Sequence, residues 1–290
     1  MKALIFGVTG QDGFYLNEIC RENKIEVVGI SRSQDPWTKG YVADKTFVER
    51  LIKQYSPDYI FHIAANSTTK HETLFENHAT ISLGTLNILE SVKDHCPSCK
   101  VFITGSGVQF VNRGIPIKET DAFEASSPYA VARIHSVYAA RYYRSLGIKV
   151  YVGYLFHHES PLRKAHHISK ITTDFIKRTN KGSDEKLILG DISVRKEWGF
   201  ARDIAEGIFK LTSQEKIFEA TIGTGVLYSI QDWLEECFNL VGKDWKTYIV
   251  SQKGNFIPEY TVLSSDPATI FSLGWKPKTS FQELAEIMMR

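Results

Sequence analysis

Tyr129 and Arg133 stand four residues apart in Ser127-Pro128-Tyr129-Ala130-Val131-Ala132-Arg133. On a helix that spacing puts both side chains on one face, one turn apart. A tyrosine beside a fixed cation has its phenolate stabilised, and it can exchange a proton with a sugar hydroxyl or a ketone near neutral pH. Ser106 follows the apolar run 101–104, the kind of place where an open α/β sheet binds its ligands, outside the carboxyl ends of the strands. Its hydroxyl can bond the same substrate oxygen. Ser106, Tyr129 and Arg133 are therefore the candidate catalytic set.

Gly7-Val8-Thr9-Gly10-Gln11-Asp12-Gly13 is a G-x-x-G-x-x-G run between a strand pattern and a helix pattern. The first glycine allows a tight turn, the second lets backbone N–H groups approach a pyrophosphate, and the third lets helix and strand pack closely. Anionic oxygens would sit at the helix N-terminus, where unpaired N–H groups and the dipole favour them. The end of the second strand separates NAD from NADP, because an acid there bonds the ribose 2′-OH whereas arginine accommodates a 2′-phosphate. Here Gly29-Ile30-Ser31-Arg32-Ser33 has no acid, and Arg32 with the serines, Ser33 included, favours NADP(H) over NAD.

The elements that must hold these residues alternate. Strand patterns fall at 4–7, 25–30, 59–64, 101–104 and 150–155, and helix patterns at 11–23, 45–55, 74–92 and from 127 to 146. Short apolar strands alternating with such helices imply βαβ units, hence an α/β fold of Rossmann type with a doubly wound parallel sheet covered on both faces. Beyond 156 the pattern loosens: helices at 168–180, 202–211, 229–240 and 281–289, with short strands near 187–189 and 219–222. The expected division is 1–160 for the dinucleotide-binding domain, with 187–222 partly completing it, and 161–290 for a smaller C-terminal α/β domain.

Charge and composition narrow the partners. The chain has 290 residues, 43% apolar and 23% charged, which excludes a wholly disordered, collagen-like or coiled-coil chain. Thirty-five Lys plus Arg against 33 Asp plus Glu leave +2, giving no reason to expect nucleic acid or an anionic membrane as partner. No apolar run approaches the ~20 residues of a bilayer span, and the four apolar residues from Ala3 to Phe6 are too few for a signal-peptide core. A cytoplasmic location is the expectation. Cys20, Cys96, Cys99 and Cys237 are read as reduced thiols, and the Cys96-Pro97-Ser98-Cys99 spacing as a loop before a strand, since zinc needs two further ligands. No metal site is expected from the adjacent pairs His157-His158 and His166-His167, because neighbours on a strand or helix point apart. His62, inside an apolar strand, reads as a hydrogen-bonded core residue, Arg202–Asp203 as a structural pair, and Tyr138, Tyr142 and Tyr143 as packing against sheet or partner helix.

The segments GVTGQDGFYL, SPDYIFHIAANS, LGTLNILESV, SPYAVAR, LFHHESPLR, KEWGFARD and LGWKPKTSFQEL occur in one order from residue 4 to 285. In them the chain resembles an extended short-chain dehydrogenase/reductase, most closely the GDP-mannose 4,6-dehydratase group of sugar-nucleotide enzymes. The resemblance implies a Rossmann domain for NADP(H), a C-terminal domain for a nucleotide diphosphate-sugar, GDP-linked, and assembly through helix pairs into a homodimer or homotetramer. It implies that Tyr129 is the acid/base residue and that Ala64, Ala65 and Leu155 border the cofactor. On the substrate side it implicates His157, His158, Glu159 and Arg163 of the loop after the strand at 150–155, with Arg195 and Lys196. Arg163, Arg195 and Lys196 could neutralise two phosphates.

The departures from the family pattern bear on chemistry. Its lysine four positions after the tyrosine is Arg133, still cationic but unable to relay a proton at neutral pH. Its glutamate two positions after the Ser/Thr, which removes the C5 proton, is Val108; its strand-end asparagine is His157. The long arm after the second strand is reduced to residues 34–40. Dehydration needs a base at its middle step, so reductase or dehydrogenase chemistry at C4 is favoured. A true 4,6-dehydratase, and a non-catalytic protein that binds NADP or a sugar nucleotide, stay open as alternatives.

Overall fold

Apolar residues run unbroken through Ala3, Leu4, Ile5 and Phe6, as a strand covered on both faces requires. The structure, a computed structural model, describes residues 1–33, 36–252 and 258–290. Its first half contains strands β1 (Lys2–Phe6), β2 (Glu26–Ser31), β3 (Thr38–Lys39), β4 (Tyr59–His62), β5 (Lys100–Ser106) and β6 (Lys149–Leu155). Helices α1 (Gln11–Glu22), α2 (Lys45–Tyr55), α3 (Leu74–Asn77), α4 (Gly84–His95) and α5 (Pro128–Ser145) alternate with them. The second half adds the short strands β7 (His158–Glu159), β8 (Leu187–Leu189), β9 (Arg195–Lys196) and β10 (Gly199–Phe200), then β11 (Glu219–Ile222), β12 (Tyr228–Ser229), β13 (Ile249–Ser251) and β14 (Val262–Leu263). With them come α6 (Ile168–Thr179), α7 (Ala201–Thr212), α8 (Ile230–Asn239), α9 (Ala268–Ser272) and α10 (Phe281–Met289).

Seven strands form one sheet in the order β11-β6-β5-β4-β1-β2-β3. Every pairing in it is parallel. The chain winds outward from β1 to β3, then crosses and winds the other way, so the order reverses between β1 and β4. That switch point is where such sheets open a crevice for ligands. Strand residues alternate between two cores: Leu4, Phe6, Val101, Ile103, Val150 and Val152 pack with α2, α4 and α5, whereas Ala3, Ile5, Phe102 and Tyr151 pack with α1 and α7. The fold is the doubly wound Rossmann type.

Of the stretch 187–222, Glu219–Ile222 completes the large sheet, while Leu187–Leu189 pairs with β13 elsewhere. A third core joins α6, α8 and α10 around Trp198 and Trp233, whose rings stack 4.5 Å apart. Glu219, at the start of the edge strand, clasps α5: it accepts from Arg141 Nε at 3.0 Å, from Arg141 Nη2 at 2.7 Å and from the Tyr154 hydroxyl at 2.7 Å, and it also pairs with Arg144.

Three local expectations change. The periodic stretch 74–92 is not one helix: between α3 and α4, residues His78–Leu83 form a π-helical segment, a form found mostly as single-turn insertions. The shortened segment after β2 contributes a strand, β3, with Trp37 packed onto Gly29, where a Cβ would lie 2.5 Å from the indole; Gln34 and Asp35 lie outside the described residues. Arg202 and Asp203 are each structural but are not a pair. Arg202 joins α7 to α1 through Glu18 at 3.1 Å and Glu22 at 2.8 Å, and Asp203 accepts from the N–H groups of Lys278 and Thr279 at 3.0 and 2.8 Å.

Candidate active site

Helix α5 begins where Ser127 Oγ accepts from the Ala130 N–H at 3.1 Å and Pro128 fills the first turn. That start fixes Tyr129 and Arg133 on one inward face, 9% and 2% exposed. The Arg133 guanidinium carbon lies 5.0 Å from the centre of the Tyr129 ring, and Nη1 donates to the Thr104 carbonyl at 2.6 Å. Arg133 Nε is buried with no partner among the described residues. His62, from the adjacent strand β4, donates from Nε2 to the Thr80 carbonyl at 3.1 Å. Burial and the Arg133 charge push its pKa down to about 3, so the ring stays neutral.

Ser106 ends β5 beside Leu155, its register partner at the end of β6. Its N–H donates to Gln109 Oε1 at 2.8 Å, and its hydroxyl oxygen accepts from the Gln109 N–H, a capping box closed on a short turn. An oxygen that already accepts one bond offers its hydrogen as a donor to the next partner. Val108, half-buried, packs against the group formed by Ile81, Tyr129 and Ala132, as does Ala65. An apolar side chain thus borders the tyrosine.

At the carboxyl end of β1 the glycine loop turns sharply. Gly7 has φ +97°, and a Cβ there would lie 2.7 Å from the Ala64 nitrogen. A Cβ on Gly13 would lie 2.3 Å from the Gly7 carbonyl oxygen. Gly10 caps α1 without a side-chain bond, so the first N–H groups of the helix meet no capping oxygen. Thr9 Oγ1, Ser31 Oγ and Ser33 Oγ form a chain of hydroxyls, 3.2 and 2.9 Å apart. Arg32, beside them, donates from Nη1 to Glu76 Oε1 at 2.8 Å, while Asn66 donates to Glu76 Oε2 at 3.0 Å. These bonds, that from Arg32 first, hold the Glu76 carboxyl below its usual range.

The loop after β6 carries the predicted substrate residues, and there the side chains meet one another. His157 Nδ1 donates to the Glu197 carbonyl at 2.8 Å, and its Nε2 lies 2.9 Å from Lys196 Nζ and 2.7 Å from Glu159 Oε1. Glu159 is wholly buried and stands 3.1 Å from Arg163 Nε. Burial opposes its charge, but Arg163, His157 and Lys196 hold the carboxyl well below its ordinary range. Burial lowers Lys196 to about 8, and burial together with Lys196 lowers His157 to about 4. Arg195 is exposed on β9. His166 and His167 do not point apart: their rings lie 4.3 Å apart, because they sit in a loop rather than on a strand or helix.

Two sets of residues assigned to different ligands touch directly. His158 donates from Nδ1 to the Phe156 carbonyl at 2.6 Å and from Nε2 to Asp12 Oδ1 at 2.8 Å. Gln11 Nε2 donates to the His158 carbonyl at 3.3 Å and Gln11 Oε1 accepts from the Ser160 hydroxyl at 3.0 Å. Gln11 and Asp12, expected at the coenzyme, are thus bonded to His158, expected at the substrate, and to its neighbour Ser160. Glu76 and Gln109, which tie Arg32 and Ser106, carried no signal in the sequence, because neither belongs to a recognisable motif.

A family model described as GDP-mannose 4,6 dehydratase matches residues 4–288. The chain belongs to the GDP-mannose 4,6 dehydratase family. It is 30% identical to GDP-mannose 4,6 dehydratase 1 of Arabidopsis thaliana over 318 aligned positions, covering 99% of this chain and 88% of that one. The alignment is longer than the chain itself, so the plant relative carries segments that this family member lacks. Among solved structures, dTDP-glucose 4,6-dehydratase of Bacillus anthracis, in complex with NAD, superposes with a TM-score of 0.85 at 18% identity, covering 100% and 95% of the two chains. RMD of Pseudomonas aeruginosa, complexed with NADPH, superposes at 0.84 with 19% identity, covering 99% and 97%. Among the described residues no helix is long and apolar enough to cross a membrane.

Proposed function

We propose that this chain is an NADP(H)-dependent enzyme acting at C4 of a nucleotide diphosphate-sugar, GDP-linked, as a 4-keto-sugar reductase or dehydrogenase. The observation that carries the reading is Val108 packed beside Tyr129 at the position of the dehydratase carboxylate. The residues present suit a dinucleotide. The turn at Gly7 and Gly13 has no room for a Cβ, α1 starts without a capping side chain, and Arg133 keeps a buried Nε–H for a ribose hydroxyl. A nicotinamide coenzyme supplies the hydride donor or acceptor. Arg32 and the hydroxyls of Thr9, Ser31 and Ser33 would hold a 2′-phosphate, with Arg32 exchanging Glu76 for it.

In reduction the Tyr129 phenol gives its proton to the C4 oxygen, and Arg133 over the ring stabilises the phenolate left behind. The Ser106 hydroxyl donates to the same oxygen while its own oxygen stays engaged by Gln109. In oxidation Tyr129 takes the proton back. Valine has no proton to exchange, so the C5 hydrogen stays in place and the C6 hydroxyl is kept. Val131, Tyr138, Tyr142 and Leu146 leave an exposed apolar face on α5 and its end, which suits a helix-paired homodimer or homotetramer.

The deciding experiment offers GDP-mannose with catalytic NADP, and separately a GDP-linked 6-deoxy-4-keto sugar with NADPH. NADPH consumption in the second incubation and no 6-deoxy-4-keto product in the first are expected. Formation of that product from GDP-mannose would establish the dehydratase alternative. Tight NADPH binding with no turnover of any 4-keto sugar nucleotide would establish the non-catalytic one.

A further inference from the structure

The sequence assigns Gln11 and Asp12 to one ligand and His158 to another, yet their side chains are spent on each other. The bonding pattern fixes the protonation of His158. The Phe156 carbonyl can only accept, so Nδ1 carries a hydrogen, and the Asp12 carboxylate accepts from Nε2. Both nitrogens donate, so the ring is an imidazolium paired with a carboxylate that is itself only partly exposed. Asp12 raises the His158 pKa against the opposing effect of burial, and the charge of His158 lowers that of Asp12. Gln11 closes a second tie by donating to the His158 backbone and accepting from Ser160.

The start of this loop is held on its other side by the pairing of β7 with β10 and by Glu159 with Arg163 and His157, whereas the stretch beyond it is more open. Pro161, Leu162, Lys164, Ala165 and His166 are exposed, and the bonds within the turn are short-range: Arg163 N–H to Ser160 O at 2.9 Å, Leu162 N–H to Ser160 Oγ at 3.3 Å and His167 N–H to Lys164 O at 3.2 Å. The anchored end of the loop is His158–Ser160, held by β10 on one side and tied to the first turn of α1 on the other.

We propose that Asp12–His158 and Gln11–Ser160 form a latch that sets the nucleotide-sugar loop against the coenzyme loop, so that binding of coenzyme and binding of nucleotide sugar are coupled. Asp12, His158, Gln11 and Ser160 are positioning residues in this scheme. The inference rests on the two-ligand reading above. A pyrophosphate at the α1 N-terminus orders Gln11 and Asp12, and these order His158–Ser160 in turn. The second ligand then meets a loop whose ordering cost has already been met. Coupling is reciprocal by linkage, so the sugar nucleotide tightens the coenzyme by the same factor.

The test is calorimetric titration of the full chain with GDP-mannose, in the absence and presence of saturating NADPH, for the wild type, Asp12→Asn and Ser160→Ala. Ser160→Ala removes one hydroxyl and keeps the charge pair, which guards against a fold lost in the other variant. The expected ratio of dissociation constants without and with NADPH is about fivefold or more in the wild type. It should fall toward one in both variants, with binding of NADPH alone changed less than that ratio. A wild-type ratio of one, or an unchanged ratio in folded variants, overturns the latch while leaving the two-ligand reading intact. Failure of the wild type to bind either probe overturns both.

Discussion

His158 as an imidazolium gives the molecule a stability term with two pH limits. Its folded pKa is raised above the ordinary 6.5, so its contribution is fully present below that value and is lost as pH rises through the folded pKa. Asp12 is shifted the other way, below 3.8, so its contribution is present above that value and is lost as pH falls. The melting-temperature difference between wild type and Asp12→Asn should therefore be greatest between those two limits and shrink toward both ends. A difference constant from pH 3.5 to 9 would contradict the charged pair. The meeting of Tyr129 with Arg133 was legible in the sequence because a four-residue helical spacing defines it locally, and the place of Ser106 was legible because it ends an apolar strand pattern. Asp12–His158 and Arg32–Glu76 were not, since they join residues 146 and 44 positions apart whose meeting depends on strand register.

At the scale of elements, the glycine loop was readable because each glycine answers a local steric demand. Gly13→Ala would place its methyl 2.3 Å from the Gly7 carbonyl oxygen, which is backbone and cannot swing aside. The helix must then move off the strand. We expect a loss of about 1–3 kcal/mol in a denaturant midpoint experiment, with loss of NADPH binding from the same sample; wild-type stability in the variant would contradict the close approach. The π-helical turn at His78–Leu83 and strand β3 were less readable. Apolar periodicity does not register one extra residue per turn, and two residues paired at a sheet edge have too little sequence for a strand pattern.

For the whole molecule, periodicity was enough for the doubly wound sheet, but membership of short strands beyond residue 156 depended on tertiary pairing that no local pattern encodes. Assembly belongs to this scale too. Tyr138 and Tyr142 are 59% and 60% exposed on α5. If that face pairs with a second copy, Tyr142→Glu should weaken association at least tenfold, since an unpaired charge in an apolar contact costs more than about 1.4 kcal/mol. Light scattering across a dilution series reads it directly, and an unchanged mass at every dilution would move the interface elsewhere.

The clasp of Glu219 on Arg141, Arg144 and Tyr154 has a consequence in time as well as in space. During synthesis every strand from β1 to β6 leaves the ribosome before β11 does, so for some 60 residues of elongation β6 is a bare sheet edge. Helix α5, with Tyr129 and Arg133 already on it, is made early and bolted late. A nascent chain stalled before residue 219 would hold the glycine loop and the tyrosine but lack the carboxylate that steadies their helix, and its open edge would be the natural point of engagement for a chaperone.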